Sequence, residues 1–186
     1  KFAGRHKDAL LVASWQSPWN QQNAQTINSS QLCKSLKISN NMNHSIKEWV
    51  VCNGVSLEQV MVLDPIPNQL MHSVYRESDL AVFPNRCEGG TNLVAMEALS
   101  SGLPCLISKN TGHLDIIKDS NCFPLNEQKS LNIPGLQDWG ESSVEEIDDL
   151  MEEVYQGRKK IDPSVARNSM LSFSWESSIK SLLSLL

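Results

Sequence analysis

Five short apolar runs, at residues 9–13, 60–63, 80–83, 104–108 and 122–125, constrain this 186-residue chain more than any other feature. All are of strand length, and the first two are continuous rather than alternating, which predicts strands buried on both faces. The stretches between them carry helix signals. Ile46, Trp49, Val50 and Val51 fall at helical spacing and stop at Gly54. Pro67 and Asn68 open a helix through Leu70, Val74 and Tyr75 that ends near Ser78. A further helix begins at Thr91 or Asn92 and stops at Gly102, and a short one is expected over 113–118. A polar helix is possible over 23–36, whereas 16–23, 39–44 and 126–140 read as loop or irregular chain. Ser142 and Ser143 followed by Glu145 and Glu146 announce another helix start, running to about Gln156. One or two helices close the chain over 163–186. Strands alternating with helices predict an α/β fold, a Rossmann-like doubly wound parallel sheet covered on both faces. Such sheets bind ligands beyond the carboxyl ends of their strands.

The segment 84–104 carries most of the chemistry. The third apolar run leads into a turn with Gly89 and Gly90, then into the helix that stops at Gly102. Glu88 and Glu97 bracket this strand–turn–helix. Glycine lets backbone approach a ligand, and a helix N-terminus offers unpaired amides and partial positive charge to an anion. A carboxylate on either side suits hydroxyl groups. Glu97 shares a narrow polar strip with Ser100 and Ser101, since successive helical residues are offset by about 100°. The arrangement predicts a site for a phosphate-linked sugar.

These residues resemble the donor-sugar motif of retaining glycosyltransferases with the two-domain GT-B architecture, in the superfamily that includes glycogen and sucrose synthases. The matching pieces are Glu88-Gly89-Gly90, Glu97-Ala98-Leu99 and Gly102-Leu103-Pro104. Eight residues separate Glu88 from Glu97 where the common pattern has seven, so the extra one sits in the Gly-Gly-Thr-Asn loop. Tyr75 to Asp79, Phe83-Pro84-Asn85, the 110–113 loop and Phe173-Ser174-Trp175 also resemble segments of these enzymes. The resemblance covers most of residues 8–186.

It implies that the chain is one nucleotide-sugar donor-binding domain, 1–186, the C-terminal half of such an enzyme. It implies the transfer of a sugar from a nucleotide-diphosphate sugar to an acceptor hydroxyl, with retention. Glu88 would be the catalytic residue facing the donor sugar. Glu97 would hold the ribose diol, and Gly89, Gly90, Thr91 and Asn92 would offer the diphosphate their backbone, with Arg86 as a further phosphate contact. No metal or other cofactor is implied. The family's N-terminal acceptor domain, its first C-terminal strand and the basic pair after that strand find no counterpart, since Arg5 and Lys7 read as a helix tail and turn before the family's second strand. In the strand order 3-2-1-4-5-6 the first strand is central, so its loss predicts a gap or a forced pairing, with exposed edges and marginal stability. The helices over 143–186 would pack on this domain or cross to an N-terminal domain supplied separately. A second reading therefore stands beside the enzyme: an inactive nucleotide-sugar-binding remnant, or a subunit awaiting an acceptor-domain chain.

Charge and composition remove other classes. A formal net charge of −5 speaks against a general nucleic-acid binder, whose affinity comes from neutralising phosphates. No apolar stretch approaches the roughly 20 residues of a spanning helix, so no transmembrane segment is expected. Five separated cysteines, without a Cys-x-x-Cys pair, fit a reducing cytoplasm. The four histidines show no metal spacing, and His113 reads as a hydrogen-bonding loop residue. No Gly-x-Gly-x-x-Gly follows a strand, which disfavours a dinucleotide-dependent oxidoreductase. Residues 179–186 read as a helix packed on the core, with a peripheral membrane role as the other option. The five tryptophans read as core or domain-packing residues, Trp19 excepted as a candidate sugar platform.

Overall fold

Parallel pairing of the short apolar runs organises the chain. The structure is a computed structural model and describes residues 1–15, 17–30, 32–131 and 134–185. They fall into two compact units, Lys1–Pro67 and Asn68–Leu186.

In the first unit, helix α1 (Phe2–Arg5) precedes strand β1 (Leu11–Ala13), helices α2 (Asn20–Ser30) and α3 (Met42–Cys52), and strand β2 (Val60–Val62). Arg5 does lie at a helix end, ahead of a turn at Lys7 and Asp8. The strands β1 and β2 pair in parallel, with Leu11 opposite Val60, Val12 opposite Met61 and Ala13 opposite Val62. Ile46 and Val50 of α3 pack with Val60, Leu11 and Val62 on one face. Val12 and Met61, side by side on the alternate positions, remain 39% and 47% exposed. The expectation that these two strands are buried on both faces is thus corrected: α3 covers one face only. Asn41 caps α3 by accepting from His44 N, and Gly54 takes φ +99° just past its end. The helix starts inside the stretch expected to be irregular, because Asn41 supplies the cap. The polar helix is α2, beginning at Asn20 rather than Asn23. Buried Gln59 ties the N-terminal segment down by donating from Nε2 to the carbonyls of Ala3, His6 and Ala9.

The second unit holds α4 (Asn68–Arg76), β3 (Ala81–Phe83), α5 (Leu93–Ser100), β4 (Cys105–Ser108) and β5 (Phe123–Leu125). After them come a hairpin of β6 (Gln128–Ser130) and β7 (Gly140–Ser142), then α6 (Val144–Tyr155), α7 (Pro163–Ser169) and α8 (Trp175–Leu183). The strands β3, β4 and β5 form a parallel sheet in that order. Central β4 is buried at every residue, as a strand covered on both faces should be. The core gathers Ala95, Ala98 and Leu99 of α5 with Cys105 and Ile107 of β4, Ile116, and Ala166 of α7. Gly102 ends α5 at φ +78°, beside Pro163 and Arg167. The α/β fold class read from the sequence is the one observed.

Among the described residues no ladder joins β1 to β3. The parallel ladder β1–β2 belongs to the first unit and the ladder β3–β4–β5 to the second. Two further expectations need correction. The region 126–140 is not all loop, because β6 and β7 pair antiparallel across it, Asn132 and Ile133 lying outside the described residues. As core residues, Trp15, Trp139 and Trp175 are corrected: they are 48%, 36% and 85% exposed, as is Trp19 at 64%, whereas Trp49 packs, half-buried, against the core of the first unit. Trp49 also donates from Nε1 to the Lys34 carbonyl and meets Trp15 edge-on. Of the closing stretch, Leu186 lies outside the described residues.

Candidate functional site

The carboxyl ends of β3 and β4 place two loops against each other, and the candidate residues sit on them. The chain after Phe83 turns through 84–92 and enters α5, whose N-cap is Asn92: its Oδ1 accepts from Ala95 N at 3.0 Å. After Ser108, Thr111–Asp115 form a short 3-10 turn, which stands where a helix was expected over 113–118. Glu88 N donates to Thr111 Oγ1 at 2.8 Å, and Gly112 N donates to the Glu88 carbonyl at 3.3 Å. Gly112 passes so close that a Cβ there would lie 1.4 Å from the Gly90 carbonyl oxygen, so no other residue fits. Gly89 and Gly90 face open space instead, with no neighbour near the position of a Cβ. Thr111 adopts φ +37°, an unusual backbone for a β-branched residue, held by the hydrogen bonds of its hydroxyl to Glu88 N and Asn110 Oδ1.

Glu88 is half-buried. Its Oε1 accepts from Asn85 Nδ2 at 2.8 Å and from Asn92 Nδ2 at 3.0 Å. His113, fully buried, lies with Nε2 3.1 Å from Asn92 Nδ2 and 4.0 Å from Glu88 Oε1. Burial lowers its pKa below the ordinary value, outweighing the opposing pull of the Ser108 carbonyl and of Glu88. Between Glu88 and the helix, the N–H groups of Gly90, Thr91 and Asn92 donate to no acceptor among the described residues. Unpaired amides at a helix N-terminus suit an anion.

Glu97 stands one helical turn from the end of α5. Both oxygens are occupied by α4: Asn68 Nδ2 donates to Oε1 at 2.9 Å and Tyr75 Oη to Oε2 at 3.2 Å. Burial, with the Glu97 charge beside it, pushes the Tyr75 phenol up to about 12, so it stays a donor. A carboxylate oxygen accepts more than one hydrogen bond, which leaves capacity for a diol. Arg86 pairs through Nη2 with Glu141 Oε1 at 2.9 Å, both side chains about 40% exposed. A phosphate would have to use its remaining guanidinium nitrogens or displace Glu141.

The β6–β7 hairpin supports the loops from beneath. Asn110 Nδ2 reaches the carbonyls of Asn85 and Gly140 and Gln128 Oε1, while Ser142 Oγ meets Ser108 Oγ at 2.7 Å. Gly140 N donates to the Arg86 carbonyl at 3.0 Å. Sequence reading missed Asn68, Asn110, Gly112, Gln128 and Ser142, all of which act through tertiary contacts. Only Gly112, in Thr111-Gly112-His113, carries a local signal that could have found it. Among the described residues no group of three or more His, Cys, Asp or Glu gathers to hold a metal, and no helix is long and apolar enough to cross a membrane.

The family model described as glycosyl transferases group 1 matches residues 32–134, more than half of the chain and all of the site just described up to Gln128. Among solved structures, the Anabaena protein HepE, determined in complex with UDP, matches 96% of this chain with a TM-score of 0.56 and 16% identity. At that identity the likeness is one of fold. This chain spans 50% of the length of HepE. No curated protein matches it significantly.

Proposed function

The chain belongs to the glycosyl transferases group 1, and from that premise we propose that the 86–97 turn and helix bind the donor of a sugar transfer, a nucleotide-diphosphate sugar. The observation that carries this reading is the set of unpaired amides at Gly90, Thr91 and Asn92 between two held carboxylates. The diphosphate would meet those amides at the α5 N-terminus, its charge stabilised by fixed dipoles. Glu97 would accept from the ribose diol, and Glu88 would face the donor sugar as positive charge develops there. Transfer would be to an acceptor hydroxyl with retention and without a metal, as the family resemblance suggests. HepE, solved with UDP, makes UDP the first nucleotide to try.

The whole enzyme would need an acceptor domain. Helix α8 exposes Trp175, Ile179, Leu182 and Leu183, an apolar stripe suited to such a partner. That stripe also favours the second reading, a nucleotide-sugar-binding subunit inactive until joined by a separate chain. Five free cysteines suit work in the cytoplasm.

The test is a thermal unfolding scan with UDP, GDP, ADP and their sugar conjugates. One nucleotide should raise the transition, because a ligand of the native state stabilises it. Glu97→Ala should remove that rise. A transition that none of them moves would refute the donor site.

A further inference from the structure

Three polar neighbours of buried Asn92 fix the protons of its amide and, with them, the tautomer of His113 beside Glu88. Asn92 Oδ1 faces Ala95 N at 3.0 Å, and a peptide N–H can only donate. The other end of the amide is therefore Nδ2, whose two hydrogens point at Glu88 Oε1, 3.0 Å away, and at His113 Nε2, 3.1 Å away. His113 Nε2 must then carry a lone pair. The ring proton sits on Nδ1 and is donated to the Ser108 carbonyl at 3.0 Å. The imidazole is fully buried, which disfavours its charged form.

We infer that His113 is a positioning residue: a neutral hydrogen-bond acceptor that, through Asn92, aims the Glu88 carboxylate at the donor sugar without neutralising it. The part that concerns the sugar rests on the donor-site reading above. An imidazolium at this place would do the opposite. Its Nε2–H would oppose Asn92 Nδ2, donor against donor, and its charge would pair with Glu88 and spend the negative charge that a cationic centre needs. The same 3-10 turn also grips the Glu88 backbone, through Thr111 Oγ1 and Gly112 N. One segment thus sets both the main chain and the carboxylate of Glu88. The strained φ of Thr111 is the local cost of that grip.

Two measurements on the full 186-residue chain test this. Two-bond proton–nitrogen correlation spectra at pH 7, with His113 assigned by its loss in His113→Gln, should show the neutral tautomer protonated at Nδ1. Asn92→Ser keeps a helix-capping oxygen but removes the bridging amide; the Nδ1–H tautomer, still held by the Ser108 carbonyl, should persist, while the Nε2 resonance moves toward that of a nitrogen accepting no hydrogen bond. An imidazolium, or the Nε2–H tautomer in the wild-type chain, overturns the inference. Calorimetric titration with UDP and UDP-glucose then separates positioning from folding. In His113→Leu the ratio of the two Kd values should shift against UDP-glucose by roughly fivefold, the size of one lost hydrogen bond between neutral groups, with UDP affinity unchanged. His113→Gln, whose side-chain oxygen can still accept from Asn92, should recover part of it. Equal losses for both ligands would make His113 a merely structural residue and overturn the inference. If the wild-type chain binds neither ligand, the donor-site reading fails, and the spectra alone decide the geometry of His113.

Discussion

Gly112 shows how little freedom single residues have at this site. A Cβ added there would fall on the Gly90 carbonyl oxygen, leaving no volume for a methyl group at this position. Gly112→Ala must push the two loops apart and break the Glu88 hydrogen bonds with them. Overpacking of this kind costs about 3 kcal/mol, so the urea midpoint should fall clearly, whereas Gly89→Ala, facing open space, should leave it nearly unchanged. Equal effects at both positions would contradict the packing described. His113 gives a second expectation at the same scale. Its folded pKa lies below the ordinary 6.5, so as pH falls through 6.5 the unfolded chain takes up a proton that the folded chain refuses. The full contribution is present above pH 6.5 and is lost as pH falls toward the folded pKa, with a slope approaching about 1.4 kcal/mol per pH unit. Urea midpoints of wild type and His113→Gln from pH 7.5 to 5 should therefore converge on the acid side. A difference that does not change with pH would contradict a neutral, buried His113.

Elements whose ends carry their own caps were legible in the sequence, and those held by distant partners were not. Helix α6 was foreseen from Ser142 to Glu146, and the structure places Ser143 Oγ as acceptor from Glu146 N at 3.2 Å. The Glu146 carboxylate in turn accepts from the amides of Asn126 and Glu127 at 2.9 Å, fixing the incoming chain. Ser143→Ala should cost about 1 kcal/mol, read as a lower urea midpoint, and Ser143→Asp should restore it. No loss on alanine substitution would mean that the cap is dispensable. Helix α5 was equally legible, from Asn92 at one end and Gly102 at the other. The hairpin was not. Gln128-Lys129-Ser130 and Gly140-Glu141-Ser142 contain no β-branched or aromatic residue, and they pair because Asn110, Ser108 and the Arg86 carbonyl hold them from outside. No local pattern encodes that. The candidate site divides the same way: Glu88 and Glu97 stood out by their motif, while Tyr75 and Asn68, which orient Glu97, lie 22 and 29 residues away in sequence.

At the scale of the whole chain, the alternation of apolar runs and helices disclosed a parallel α/β fold, and the family match and the likeness to HepE agree with it. Which faces would be covered was not disclosed. An apolar run reads the same whether one face or both are packed, so Val12 and Met61 gave no warning of their exposure. Tryptophan likewise reports size rather than place, and four of the five are exposed. The central claim is that the loop–helix between the two glutamates, backed by the 110–113 turn, is where a nucleotide sugar binds. Hydrogen exchange of the chain with and without UDP, followed by mass spectrometry, tests it most directly. The account predicts slowed exchange at the amides of residues 89–94 and of the supporting 110–113 turn, with little change elsewhere in the unit Asn68–Leu186. Unchanged exchange across 86–113 at saturating UDP, or protection confined to Lys1–Pro67, would contradict it.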